Sequence, residues 1–167
     1  MHKFSFTILT VCAALLLGVE ARAQQPASPP PSPPPPYGAP ITLEQAMKVA
    51  AAAREEAKKN NFVMAIAIVE PSGDLVYFER ADGTQYAGAK IAQDKAMSAA
   101  IFRRPGKSFA DRVAAGDQTP LALRGAVAVG GGVPIVVNGK LIGGIGISGG
   151  SGPQDEQVAT AGANALK

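Results

Sequence analysis

A proline-rich segment near the start of the chain limits where a folded core can form. Nine of the fourteen prolines lie between residues 24 and 40, in runs such as 29–31 and 33–36. Such runs favour extended polyproline II backbone and lack the amide donors that helices and sheets need. We therefore expect residues 24–40 to be a linker and residues 41–167 to form one domain, since that length suits a single core.

The residues before the linker have the layout of a secretory signal peptide. Lys3 supplies the positive charge, residues 4–19 are mostly apolar, and residues 21–23 (Ala-Arg-Ala) offer the small side chains that signal peptidase requires. The apolar stretch is too short to span a bilayer. The pattern predicts a signal peptide over residues 1–23, a periplasmic or secreted location, and no membrane span after cleavage.

Removal of that peptide would leave a mature chain without cysteine or histidine, because Cys12 and His2 are the only ones in the sequence. Disulfides, thiol nucleophiles, histidine bases and metal sites of the Cys/His type are then excluded. The formal charge of the whole chain is +3, and no run of Lys or Arg exceeds two residues. We expect no nucleic acid partner, since phosphate binding needs a dense basic patch.

Hydrophobic periodicity and turn residues predict the elements of the domain. Thr42 and Gln45 have the spacing of a capping box, which starts a helix ending near Lys59. Asn138-Gly139 is a strong hairpin signal, because both central positions tolerate positive φ. The other predicted elements are strands over 62–69, 75–79, 126–129, 133–137 and 140–148, and helices over 88–102, 108–115 and 153–166. This order predicts an α/β (α+β) fold with a five-stranded antiparallel sheet.

Glycine is concentrated in one part of the domain, since ten of the nineteen glycines lie between residues 130 and 152. Glycine inside a strand costs stability, so its recurrence over 141–147 implies that a helix or a ligand approaches the backbone. The turn over 148–152 ends a strand and opens a helix, where free amides bind anions. Gly149 and Gly150 are therefore candidate binding residues, with an ordinary tight turn as the alternative.

Charged residues form a second group of candidates. Arg103 and Arg104 follow the second predicted helix and would hold carboxylates in forks, although they also complement the helix dipole. Further charged side chains lie after the second strand and on the predicted surface of the following helix: Glu79, Arg80, Asp82, Lys90, Asp94 and Lys95. These are equally well explained as a solvated surface with i,i+4 pairs.

The glycine-rich motifs resemble those of the GlcG/HbpS family of haem-binding proteins. The resemblance is carried by residues 131–135 (GGVPI), 138–150 (NGKLIGGIGISGG), 69–75 (VEPSGDL) and 80–83 (RADG), and it covers essentially all of residues 41–167. It implies a profilin-like α-β-α sandwich around a five-stranded antiparallel sheet, assembly into oligomers, and binding of haem or a related tetrapyrrole. The C-terminal domain of the corrinoid-pathway PduO proteins is similar as well.

The resemblance leaves the haem ligand open, because some relatives bind haem through a histidine that the mature chain lacks. Thioether and phenolate groups also hold haem iron, and a carboxylate is a further possible ligand. The candidate side chains are Met47, Met64, Met97, Tyr77 and Tyr86. The cofactor-binding residues predicted from the sequence and the resemblance are Tyr86, Met64, Met97, Arg103, Arg104, Gly149 and Gly150.

The resemblance favours haem capture, storage or redox sensing rather than turnover. An alternative is an enzyme or accessory factor that acts on a small carboxylate or a corrinoid. Its acid or base would have to be Glu79, Asp82 or Asp155, with a pKa moved by burial. A third possibility is a purely structural oligomer.

Overall fold

The structure, a computed structural model, describes residues 33–167. The predicted signal peptide and the first part of the predicted linker lie outside the described residues. Within them, no helix is long and apolar enough to cross a membrane. The elements are α1 (Leu43–Lys59), β1 (Ala65–Val69), β2 (Leu75–Arg80), α2 (Tyr86–Phe102), α3 (Gly106–Ala114), α4 (Thr119–Ala122), β3 (Gly132–Val137), β4 (Lys140–Ser148), α5 (Gly152–Ala163) and a terminal 3₁₀ turn (Asn164–Leu166).

Local signals in the sequence set several of these boundaries. The Thr42 capping box is confirmed, because Gln45 N donates to Thr42 Oγ1 at 3.2 Å and Thr42 N donates to Gln45 Oε1 at 3.0 Å. The predicted hairpin is also confirmed, since Asn138 and Gly139 adopt φ of 50° and 74° between β3 and β4. Caps and turns of this kind depend on residues that are close in sequence, which is why they can be read from the sequence.

The strands form one antiparallel sheet in the order β2-β1-β4-β3. The predicted α+β fold is confirmed, but the predicted fifth strand over 126–129 is wrong. Val127 N donates to the side chain of Ser98 at 3.0 Å, and Ala126 N donates to Leu123 O at 3.1 Å. Because these amides bond to a helix side chain and to a turn, the segment does not join the sheet.

The two faces of the sheet are packed in different ways. Helices α1 and α5 cover one face, where they pack on bulky side chains of β4 such as Ile145 and Ile147. Helix α2 covers the other face through alanines. A Cβ added at Gly144 would lie 2.5 Å from the carbonyl oxygen of Ala96, and one at Gly146 would collide with the carbonyl oxygen of Ala92. The glycine pattern predicted that either a helix or a ligand approaches this strand. At Gly144 and Gly146 it is the helix α2 that does so.

The end of the proline-rich segment contacts the domain. Leu141 N donates to Pro36 O at 2.8 Å, and Gly38 N donates to Leu141 O at 2.7 Å. Tyr37 forms a parallel β-bridge with Leu141. The chain therefore extends the sheet beside the start of β4 before it enters α1.

Candidate functional site

The antiparallel register brings three chain segments together at one end of the sheet. Ala65, the first residue of β1, pairs with Arg80 at the end of β2 and with Ser148 at the end of β4. We call this region, with the turn over 149–151 that follows, the Ser148 end. The opposite region, around Leu141 at the start of β4 and Arg103 at the end of α2, is the Leu141 end.

Four of the seven sequence-predicted site residues lie at the Ser148 end. A Cβ added at Gly150 would lie 3.0 Å from Met64 Cε, and one at Gly149 would lie 2.8 Å from Met64 Cα. Tyr86 begins α2, is 88% exposed, and has the guanidinium of Arg80 5.6 Å from its ring centroid. Residues distant in sequence thus meet here because β1 begins where β2 and β4 end.

The other three predicted residues lie toward the Leu141 end and contact the protein itself. Met97 packs against Gly73. Arg103 lies over the Tyr37 ring at 4.9 Å and donates from Nη1 to Pro35 O at 3.2 Å. Arg104 lies over the ring of Phe109. Helix α2 has 17 residues, so about 25 Å along its axis separates its two ends, and one chain does not gather all seven residues into one site.

A cavity of about 290 Å³, here called the Met64 cavity, opens at the Ser148 end. Apolar side chains line it, among them the almost fully buried Met64, which is 3% exposed. Basic side chains also border it, and the exposed Arg80 makes no ion pair with any residue of the described part of the chain. The lining residues are Arg54, Ala57, Lys58, Phe62, Met64, Ile66, Glu79, Arg80 and Ala81. This combination suits an apolar ligand that carries acidic groups.

One wall of the Met64 cavity is a hydrogen-bonded cluster. Arg54 binds both carboxylate oxygens of Glu79, at 2.9 and 2.6 Å, and the Tyr77 hydroxyl donates to Glu79 at 2.9 Å. Burial raises the pKa of Glu79, but the hydrogen bonds from Arg54 and Tyr77 outweigh it and hold that pKa below its ordinary value. The hydrogen bond to Glu79 raises the pKa of Arg54. The pKa of Tyr77 is also raised, first by its hydrogen bond to Glu79 and second by burial. Glu79 is therefore an ionised structural partner rather than a proton donor.

A second cavity of about 420 Å³ lies next to the first and shares Phe62 with it. We call it the Gly150 cavity. No charged side chain lines it; its lining residues are Asn61, Phe62, Val63, Gly83, Thr84, Gln85, Gly149, Gly150 and Gln154. The Phe62–Met64 segment thus separates an apolar cavity with a basic rim from a polar, uncharged one.

The turn that was a candidate anion site has acceptors within the chain. Gly150 N donates to Asp155 Oδ1 at 2.9 Å, and Ser151 N donates to Gln154 Oε1 at 2.8 Å. Side chains from the first turn of α5 therefore occupy two of the amides that an external anion would use.

A buried ion pair that the sequence analysis missed lies directly behind this turn. Lys95 Nζ is 2.7 Å from Asp155 Oδ2, and the two side chains are 3% and 4% exposed. The sequence-based placement of Lys95 on the helix surface is wrong, because the side chain is buried between α2 and α5. A signal was present: Lys95 lies three residues after Ala92 and four before Ala99, on the alanine face. Within the described residues, no cluster of three or more potential metal ligands is found.

Comparison with known proteins identifies relatives over nearly the whole domain. A family model described as "Haem degrading protein HbpS-like" matches residues 41–164. Protein GlcG of Escherichia coli K12 is 38% identical over 108 residues, which is 65% of this chain and 81% of that protein.

Two solved structures share the fold and a substantial part of the sequence. The crystal structure of a double mutant of Streptomyces reticuli HbpS has a TM-score of 0.71 and 32% identity, covering 85% of this chain and 99% of that one. The crystal structure of a PduOC:heme complex has a TM-score of 0.70 and 27% identity, covering 77% of this chain and 96% of that one.

Proposed function

Because this chain belongs to the HbpS-like family, we propose that it is a haem-binding protein whose tetrapyrrole binds at the Met64 cavity with part of the macrocycle outside it. The resemblance to GlcG and HbpS read from the motifs is confirmed by the family match and by the related proteins. A relative with 27% identity and the same fold has been crystallised as a heme complex. The observation in this chain that carries the proposal is an apolar cavity with a thioether in its lining and, at its rim, a guanidinium that makes no ion pair within residues 33–167.

The residues of the Met64 cavity fit the chemistry of haem. Phe62, Met64 and Ile66 offer apolar contact to a macrocycle. Arg80 has donors available for a propionate, since guanidinium groups bind carboxylates well. Arg54 is already engaged by Glu79, so we assign it to the wall of the site rather than to propionate binding.

Met64 is the side chain that we assign as a ligand of the iron. Thioethers serve as haem ligands, and the mature chain expected from the sequence has no histidine for this purpose. Bound haem would supply a redox-active iron. The chain's part is to bind the macrocycle, to hold a thioether beside it and to exclude water with the apolar lining.

We place this activity outside the cytoplasm, in the periplasm or the medium, because residues 1–23 have the layout of a signal peptide. Haem capture, storage or redox sensing is the role that fits such a location. We also propose that the protein is a homo-oligomer, because a domain rich in alanine and glycine has few bulky groups with which to complete a core.

Haem degradation is a second function, favoured by the family's description as haem degrading. The two functions differ in what happens to the cofactor after binding. Incubation of the hemin complex with a reductant in air separates them: a Soret band of constant intensity supports binding alone, and its progressive loss supports degradation.

Titration with hemin tests the proposed function. The wild-type chain should give a saturable Soret shift whose spectrum is not that of bis-imidazole ligation. Met64→Leu keeps the side-chain volume nearly constant and should alter the spectrum, whereas the matched control Met97→Leu, toward the opposite end of α2, should not. Non-saturable binding, as on any apolar surface, would refute the haem function and favour the small-carboxylate alternative.

A further inference from the structure

The buried pair of Lys95 and Asp155 lies outside the lining of the Met64 cavity, and the proposed function does not use it. Burying two charges costs free energy, and well-packed apolar residues of similar size often serve stability equally well or better. Stability alone is therefore a weak reason for a charged pair between α2 and α5.

The remaining hydrogen bonds of the pair lead to the Gly149-Gly150 turn. Lys95 Nζ also donates to Ile147 O at 2.9 Å, near the end of β4. The second carboxylate oxygen of Asp155 accepts from Gly150 N at 2.9 Å. The pair thus connects α2, the end of β4, the turn and α5, because Lys95 Nζ donates to Ile147 O and Asp155 Oδ2 and the other oxygen of Asp155 accepts from Gly150 N.

The turn held in this way packs on Met64. Gly149 leaves no room for a side chain, because a Cβ there would lie 2.8 Å from Met64 Cα. A Cβ at Gly150 would lie 3.0 Å from Met64 Cε, so the turn also packs on the end of the methionine side chain. The turn therefore lies against the terminal methyl group of Met64 with no room for a further side-chain atom between them, and this contact limits the rotamers open to the methionine. Displacement of the turn would remove that limit.

We propose that Lys95 and Asp155 are positioning residues of the haem site. They fix the Gly149-Gly150 turn, and the turn holds the Met64 thioether in the position in which it would bind the haem iron. The inference rests on the proposed function. The pair does not contact Met64 itself but orients it through the turn, as residues that hydrogen-bond to the surroundings of a metal ligand commonly do.

Two double variants test the proposal. Lys95→Met/Asp155→Leu removes both charges and the acceptor for Gly150 N, while Lys95→Met/Asp155→Asn removes both charges but keeps an oxygen acceptor. Neither leaves an unpaired buried charge. We expect the leucine variant to bind hemin about tenfold more weakly, with an altered Soret band, and the asparagine variant to stay close to wild type. If the leucine variant does not fold, Lys95→Met/Asp155→Ala replaces it.

A control and a second readout separate this proposal from a merely structural role. Phe109→Leu changes a buried side chain of α3 and should lower stability without changing hemin affinity or spectrum. The ¹³C-methyl resonance of Met64 in the ligand-free protein should shift in the leucine variant and remain in place in the asparagine variant.

The outcomes are distinguishable. If wild type and both double variants bind hemin alike, the positioning role is refuted while the haem function stands. If wild type does not bind hemin saturably, the haem function fails, and the methyl resonance then decides whether the pair positions Met64: a shift confined to the leucine variant supports it, and an unchanged resonance overturns it.

Discussion

The two ends of the sheet use the same types of residue in different ways. At the Ser148 end, Arg80 has no ion-pair partner among residues 33–167 and borders the Met64 cavity. At the Leu141 end, Arg103 contacts Tyr37 and Pro35 O. Both guanidiniums lie over a tyrosine ring, Arg80 over Tyr86 and Arg103 over Tyr37, but within residues 33–167 only Arg103 of the two also donates to an acceptor oxygen. The role of an arginine thus depends on whether its own chain supplies an acceptor, which residue type alone does not reveal.

The two methionines nearest these ends differ in the same way. Met97 packs against a glycine of the β1–β2 turn, whereas Met64 borders a cavity between α1 and the β1–β2 pair, at the end where β1 begins and β2 ends. Met64 is the more buried of the two, but a ligand in that cavity would contact it, whereas Met97 lies outside the lining. We therefore expect that side-chain substitutions at the Met64 cavity change hemin binding, and that those at the Leu141 end change the free energy of unfolding.

The largest expected effect is on stability, at the glycine of the Ser148 end. Gly149→Ala places a Cβ against Val63 O and 2.8 Å from Met64 Cα, both of them backbone atoms that cannot move cheaply, so we expect a loss of about 3 kcal/mol. Gly139→Ala at the hairpin is the control, since nothing lies within 4 Å and only its φ of 74° is unfavourable, at about 1 kcal/mol. Urea denaturation measures both, and equal losses would contradict the close packing of the turn.

The second expected effect is on binding, and the two arginines should behave in opposite ways. Arg80→Ala should weaken hemin binding roughly fivefold, because an exposed ion pair contributes about 1 kcal/mol, with little change in stability. Arg103→Ala should lower stability by about 1 kcal/mol through the lost cation–π contact and hydrogen bond, and leave hemin affinity unchanged. Loss of affinity in Arg103→Ala instead would support the sequence-based assignment of the propionates to Arg103 and Arg104.

The smallest expected effect concerns acid stability at the Ser148 end. The pKa of Glu79 is held below its ordinary value of 4.5, so its bonds to Arg54 and Tyr77 stabilise the fold above that pH. This contribution is lost as the pH falls through the lowered pKa. Wild type should be more stable than Glu79→Gln at pH 7, and the gap should close as the pH is lowered from 4.5 through the lowered pKa of Glu79. Thermal unfolding across this range measures it, and a gap independent of pH would disprove the role of the charge.

Those parts of the fold that depend on neighbouring residues could be predicted from the sequence. The Thr42 cap, the Asn138-Gly139 hairpin and β4 are examples, since each is fixed by propensity or turn chemistry within a few residues. The fifth strand was wrong because Val127 bonds to Ser98, 29 residues earlier. Nothing local distinguishes such a segment from a true strand.

The candidate site was partly predictable for the same reason. The glycine pattern indicated Gly149 and Gly150, and the lack of histidine and cysteine left Met64 as one of five methionine and tyrosine candidates. Their proximity depends on the register of β1 against β4, which the sequence did not specify. The burial of Lys95 was missed because its partner, Asp155, is 60 residues away, although the alanine spacing around Lys95 already placed it on the packed face.

A ¹³C-methyl spectrum of the methionines with and without ferric hemin shows where on the domain the haem binds. Met47, Met64 and Met97 are the methionines of the expected mature chain, and each reports on a different part of the domain. If the haem lies in the Met64 cavity, the paramagnetic iron should shift or broaden the Met64 resonance strongly and leave that of Met97 nearly unchanged. A perturbed Met97 beside an unperturbed Met64 would contradict the account.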